Sequence, residues 1–320
     1  MSWKNIVGHE AAVRLLKGQL SQGRLAHTYL FVGQRGIGKK ALALEFVRAL
    51  ECREGSAEGC GVCESCRRIG QGTYPDLMRV GADSKAGQTG IDQVRALAGW
   101  ISLTPYEARW KVGLIEEADR LTEEAAHACL KLLEEPPEHS ILLLTAAGVH
   151  RLPSTLVSRC HIVRCAPQGI RRVAQFLQEG EKLEPAQARM MATWSGGRLG
   201  QALESHRQQR LGIKNELINQ LLTACRQKQP EVPLGNAPRA EVEEALEWLA
   251  AWWRDLLLLA LQGDPAWVIH QDRLEELRRE LAAGPSREEL LDRVEWTYRV
   301  QEAVQRNASP RIALATLLCR

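Results

Sequence analysis

The chain has 320 residues, 45% hydrophobic and 25% charged, enough for two or three domains with substantial cores. Lys and Arg number 42 against 39 Asp and Glu, so bulk charge announces no nucleic-acid or membrane-surface partner. The apolar run at residues 256–261 falls far short of the ~20 residues that cross a bilayer, and Met1-Ser2-Trp3-Lys4-Asn5 lacks a signal-peptide core, so a cytoplasmic location without membrane contact is expected.

In chain order, residues 8–22 place Ala12, Val13, Leu15, Leu16 and Leu20 at helical spacing, and Tyr29-Leu30-Phe31-Val32 follows as a short buried strand. Gly33-Gln34-Arg35-Gly36-Ile37-Gly38-Lys39-Lys40 breaks the pattern before residues 41–47 resume helical period, so a glycine loop joins strand to helix. Four of the nine cysteines come next, Cys52, Cys60, Cys63 and Cys66, in a C-x7-C-x2-C-x2-C series. Residues 111–115 read as a second strand ending on Glu116-Glu117, and residues 141–145 as a third ending on Thr145. Between them, 122–135 is predicted helical, with Thr122 as N-cap, Glu123 and Glu124 at its positive end and Pro136-Pro137 stopping it.

Continuous apolar strands alternating with helices predict an α/β domain with a parallel sheet covered on both faces. After Cys165-Ala166-Pro167 the strand pattern gives way to short helices up to about residue 207, interrupted by Ser195-Gly196-Gly197-Arg198-Leu199-Gly200. A third, all-helical domain follows. Its strongest signal is the apolar stripe Val242, Ala245, Leu246, Leu249, Trp252, Trp253, Leu256 and Leu257, and Trp248, Trp252 and Trp253 read as helix packing or a subunit interface rather than a base-stacking platform. The expected domains are 1–166, 167–207 and 208–320, with a proline-containing loop at 229–238 and a helix break at Gly284-Pro285.

The glycine loop has phosphate-loop spacing in strand-to-helix context: Gly33, Gly36 and Gly38 let backbone N–H groups turn toward phosphate, and Lys39 reaches the terminal phosphates. The pattern calls for Ser or Thr after that lysine, to ligate Mg²⁺, and this chain has Lys40. A protonated lysine has no lone pair, so ATP hydrolysis should be weak or absent even if nucleotide and Mg²⁺ bind. Glu116 and Glu117 stand where a phosphate-loop ATPase keeps a metal-orienting and a water-activating carboxylate; two acids at a strand end are otherwise unremarkable, and the loop and spacing carry the functional reading. Four thiolates at x2 spacing can close a tetrahedral zinc site with no open position, which makes the metal structural. Cys129, Cys160, Cys165, Cys225 and Cys319 have no such spacing and read as ordinary packed or surface cysteines.

Together with His27-Thr28-Tyr29-Leu30-Phe31-Val32-Gly33, Leu130-Lys131-Leu132-Leu133-Glu134-Glu135-Pro136, Ser158-Arg159-Cys160 and Arg306-Asn307-Ala308-Ser309-Pro310-Arg311, these features resemble the clamp-loader branch of the AAA+ ATPases that serves bacterial DNA polymerase III, over almost the whole chain. The resemblance implies an AAA+ phosphate-loop domain with a zinc-binding insertion at about 52–66, a small helical lid and an all-α collar. It implies partners: the gamma/tau and delta subunits in a hetero-oligomeric ring, and through the ring the sliding clamp and primed DNA. On the matching positions Arg159 is an arginine finger inserted into a neighbour's ATP, Thr145 a sensor-1-like residue, and Gly200 replaces the sensor-2 arginine of motor subunits. Lys40, Glu116 in place of Asp, Gly200 and the absence of a long extension beyond Arg320 favour a non-hydrolysing partner subunit over the alternative, an active gamma/tau-type ATPase. An independent zinc-dependent nucleic-acid binder is a further alternative, disfavoured because residues 60–66 carry no Lys or Arg.

Overall fold

Five parallel strands, in the order β2-β3-β4-β1-β5, form the sheet that positions the site. They are β1 (Thr28–Val32), β2 (Leu77–Val80), β3 (Lys111–Ile115), β4 (Ser140–Ala146) and β5 (His161–Arg164), in a computed structural model that describes residues 3, 6–55, 57–82, 87–207, 210–227, 234–235, 237–305 and 308–318. Arg306-Asn307, Cys319, Arg320, Met1-Ser2, Lys4-Asn5 and most of the 229–238 loop lie outside the described residues. The three predicted strands are the central β1, β3 and β4. The two edge strands, β2 and β5, were not foreseen.

Alternate residues of the central strands point to opposite faces, as a pleated strand requires. Tyr29, Phe31, Val112, Leu114, Ile141 and Leu143 pack with Leu16 of α1 (Glu10–Gln22) and Leu42 and Phe46 of α2 (Lys39–Leu50). Leu30, Ile115, Leu142 and Leu144 pack on the other face, with Leu97 of α4 (Ile91–Ile101), Cys129 of α5 (Glu123–Glu134) and Leu156 of α6 (Ser154–Val157). α3 (Glu64–Gln71) belongs to the cysteine segment. Each fully buried large side chain contributes ~1.5–3 kcal/mol, so both faces of the sheet are needed to hold it. The Thr122 hydroxyl accepts the Ala125 N–H at 3.2 Å, capping α5 as expected.

The described residues divide into two compact units: residues 1–168 with Arg198–Gly200, and residues 169–197 with 201–320. The second is helical: α7 (Ile170–Glu181), α8 (Pro185–Trp194), α9 (Leu199–Arg207, whose first residues group with the first unit), α10 (Arg210–Gln227), α11 (Arg239–Ala260), α12 (Leu274–Ala282), α13 (Arg287–Gln305) and α14 (Pro310–Leu318). α11 is its spine, burying Trp248, Trp252 and Trp253. Among the described residues no helix is long and apolar enough to cross a membrane.

Candidate functional site

The glycine loop leaves the C-terminal end of β1, which lies between β4 and β5, and α2 begins at Lys39. Ligands of open parallel sheets bind at this end of the strands. Gly36 and Gly38 have φ of 74° and 104°, left-handed values that residues with a Cβ rarely adopt. The Lys39 ammonium donates to the carbonyls of Gly33 at 2.7 Å and Gln34 at 2.9 Å. Burial lowers its pKa, an effect opposed by Cys165, Asp119 and Glu117. His9 also meets the loop, its Nε2 3.0 Å from the Ile37 carbonyl.

The next strand ends supply the acids. Glu116 forms an ion pair with Lys40 at 2.8 Å and accepts two hydrogen bonds from Arg79 on β2, at 3.0 and 2.8 Å. Two cations therefore counter the carboxylate that would orient Mg²⁺. Glu117 has φ of 51°, an uncommon conformation for a residue with a side chain, and its N–H donates to Thr145 Oγ1 at 2.9 Å. Its carboxylate pairs with Arg35 and Arg120, both at 2.9 Å. The fold thus brings Lys39, Lys40, Glu116, Glu117 and Thr145 together at this end of the sheet. It adds His9, Arg35 and Arg79, which sequence reasoning missed; Arg35 stood inside the motif, whereas Arg79 could be found only once β2 was recognised.

Arg159 lies just beyond α6, with its side chain 38% exposed. Its guanidinium donates to Glu134 Oε1 at 2.8 Å and to the Thr155 carbonyl at 3.0 Å, so the end of α5 holds it at the surface. It stands outside the cluster of Lys39, Glu116 and Glu117 contacts. A Cβ at Gly200 would come 2.8 Å from the Gly36 carbonyl oxygen, closer than nonbonded atoms approach, so no side chain fits there without displacing the loop.

The sulfur atoms of Cys52, Cys60, Cys63 and Cys66 all lie within 4.8 Å of one another. A tetrahedron of thiolates at the usual Zn–S distance has edges of ~3.8 Å, so this set fits a four-coordinate zinc ion after small adjustments. Cys52 Sγ accepts the Cys60 N–H and Cys60 Sγ the Cys63 N–H, both at 3.2 Å. Backbone N–H groups of Cys63 and Val62 lower the Cys60 thiol to about 6, whereas burial pushes Cys66 up to about 12. α3 starts immediately after Cys63, which brings its positive end to the same sulfurs. By contrast, burial raises Cys129 to about 12 and Cys160 and Cys165 to about 11, which leaves them as unreactive thiols.

The profile of the family described as "DNA polymerase III, delta subunit" matches residues 8–169. The DNA polymerase III subunit delta' of Pseudomonas aeruginosa is 32% identical over 249 residues, covering 75% of this chain and 74% of that protein. The tau subunit of Escherichia coli is 36% identical over 208 residues, 63% of this chain but only 32% of tau, so the chain spans about a third of that relative's length. Among solved structures, a DNA polymerase III gamma subunit-related protein from Thermotoga maritima shares the fold, with a TM-score of 0.51 at 16% identity over 96% of this chain and 97% of that one. With a profile match across half its length and a delta-prime relative matched over three quarters of both chains, the chain belongs to the delta-prime family of DNA polymerase III clamp-loader subunits.

Proposed function

We propose that the chain completes a hetero-oligomeric clamp-loader ring with gamma/tau and delta subunits, hydrolyses little or no ATP itself, and donates Arg159 to nucleotide held by a neighbour. The ring would load the sliding clamp onto primed DNA. The observation that carries this reading is the pairing of Glu116 with both Lys40 and Arg79. A phosphate-loop ATPase needs a hydroxyl and a free carboxylate for Mg²⁺; here a cation replaces the first and two cations neutralise the second. Gly200, pressed on the loop, leaves no room for a sensor-2 side chain. In this reading residues 167–207 are the lid and 208–320 the collar, and the four cysteines hold a structural zinc ion.

An arginine finger is worth ~10³–10⁵ in rate at the site it serves. Substituting Arg159→Ala in a reconstituted ring should therefore lower DNA-stimulated ATP turnover at least tenfold at the served site while assembly, followed by gel filtration, is unchanged. Normal turnover in an intact ring would discard the finger. Mg²⁺-dependent hydrolysis by the isolated chain, abolished by Lys39→Ala, would instead establish it as a motor.

A further inference from the structure

We propose that a groove in the helical unit, between α7, α8 and the turn at Asp264–Trp267, binds single-stranded nucleic acid. The groove has a volume of about 660 Å³ and is lined by Arg171, Gln178, Arg189, Thr193, Asp264 and Trp267. Trp267 is 58% exposed. A scattered exposed apolar residue needs no explanation, but this one is presented by a backbone fixed from both sides. Asp264 Oδ1 accepts the Ala266 N–H at 2.9 Å, and Gln271 Nε2 donates to the Pro265 and Val268 carbonyls at 2.6 and 3.0 Å. Just beyond, buried Asp255 accepts the backbone N–H groups of Ile269 and His270. The backbone that presents the indole is thus fixed, which removes part of the ordering cost that a ligand would otherwise face.

Arg171 on α7 and Arg189 on α8 are exposed, and among the described residues neither has an ion-pair partner. The single lining carboxylate, Asp264, already caps the turn. Two free guanidinium groups beside a flat aromatic face suit a ligand that carries regularly spaced anions and exposed ring faces. Single-stranded nucleic acid has both, whereas a duplex hides its base faces and an acidic peptide offers no ring to stack. The site is remote in chemistry from Arg159 and does not depend on its role.

The test is fluorescence anisotropy of a labelled oligo-dT of about ten nucleotides with the isolated full chain at low salt, with oligo-U to read the sugar. Saturable binding by either oligonucleotide is expected. Trp267→Ala should weaken it about 10- to 100-fold, Trp267→Phe should retain most of it, and Arg171→Ala with Arg189→Ala should flatten the salt dependence by about one to two in logarithmic slope. All are surface substitutions, and unchanged circular dichroism would confirm folding. No saturable binding, equal binding after Trp267→Ala, equal affinity for duplex, or equal competition by polyglutamate would each overturn the proposal. Because no ring is present, failure here leaves the Arg159 assignment to its own test.

Discussion

Lys214, 1% exposed on α10, is held by Asp272 at 2.8 Å and lies 3.1 Å from Met190 Sδ. Burial lowers its pKa, and Asp272 opposes the shift. An ammonium in this setting depends on its partner: removing the counter-ion of a buried charge costs about 3–5 kcal/mol, whereas replacing Lys214 itself leaves only Asp272, which is 30% exposed and open to water. Asp272→Ala should therefore destabilise the chain by about 3 kcal/mol, less than the upper figure because Asp272 is 30% exposed, while Lys214→Met should stay within about 1 kcal/mol. Urea denaturation of both variants decides the matter. If Lys214→Met costs as much as Asp272→Ala, the site needs the cation for its hydrogen bonds rather than tolerating it.

At the scale of elements, the cysteine segment is fastened to the loop ahead of β3. Glu51, next to Cys52, accepts the N–H groups of Arg109 and Trp110, both at 3.1 Å. Arg53 and Arg68 reach Glu107 at 3.4 and 2.5 Å, and the Trp3 indole donates to the Ala57 carbonyl at 2.8 Å. Loss of the zinc ion proposed for the four cysteines should free this brace before it disturbs the sheet. Chelation is thus expected to speed hydrogen exchange at the amides of residues 107–110 while those of β1 and β4 stay protected. Protection unchanged at 107–110 would show that the segment stands without a metal.

The same scale explains what could be read in advance. β1, β3 and β4 are buried on both faces and appear as unbroken apolar runs. β2 and β5 are edge strands of four residues each, broken by Arg79 or bounded by His161 and Arg164, and so too short for periodicity to mark them. Missing β2 hid Arg79, and with it half of the charge that neutralises Glu116. Asp255 escaped notice for the opposite reason: it sits on the buried stripe of α11, 0% exposed, where the backbone N–H groups of Ile269 and His270, the His270 ring and Arg254 meet its carboxylate.

At the scale of the whole molecule, two compact units need not unfold together, and their pH dependence should differ. His270 is fully buried in the helical unit, between the rings of Trp248 and Trp252, with its Nδ1 2.9 Å from Asp255. Burial lowers its pKa below 6.5, although Asp255 opposes the shift and Asp272 adds to that opposition; Lys214 acts with burial. The unfolded chain then binds the proton more readily than the folded one. Stability contributed by the neutral ring is complete above about pH 6.5 and falls as pH drops toward the depressed folded value, by at most about 1.4 kcal/mol per pH unit for one proton. Calorimetric scans from pH 7.5 to 5 should show this acid-side loss in the transition of the helical unit, and His270→Asn should flatten it. A slope that persists in the variant would assign the titration to another group.

The glycine loop, the four cysteines and the Thr122 cap were legible because each is local: backbone conformation and ligand spacing there depend on residues a few positions apart. The Lys40 flaw was legible for the same reason, and with it the expectation of weak hydrolysis. The state of the acids was not. Glu117 meets Arg35 across 82 positions, Glu116 meets Arg79 across 37, and Lys214 meets Asp272 across 58. Such charges acquire partners only when a parallel sheet or a helical core brings distant segments to one place. A sequence can therefore name the groups of a site, while the fold alone settles which of them are already neutralised.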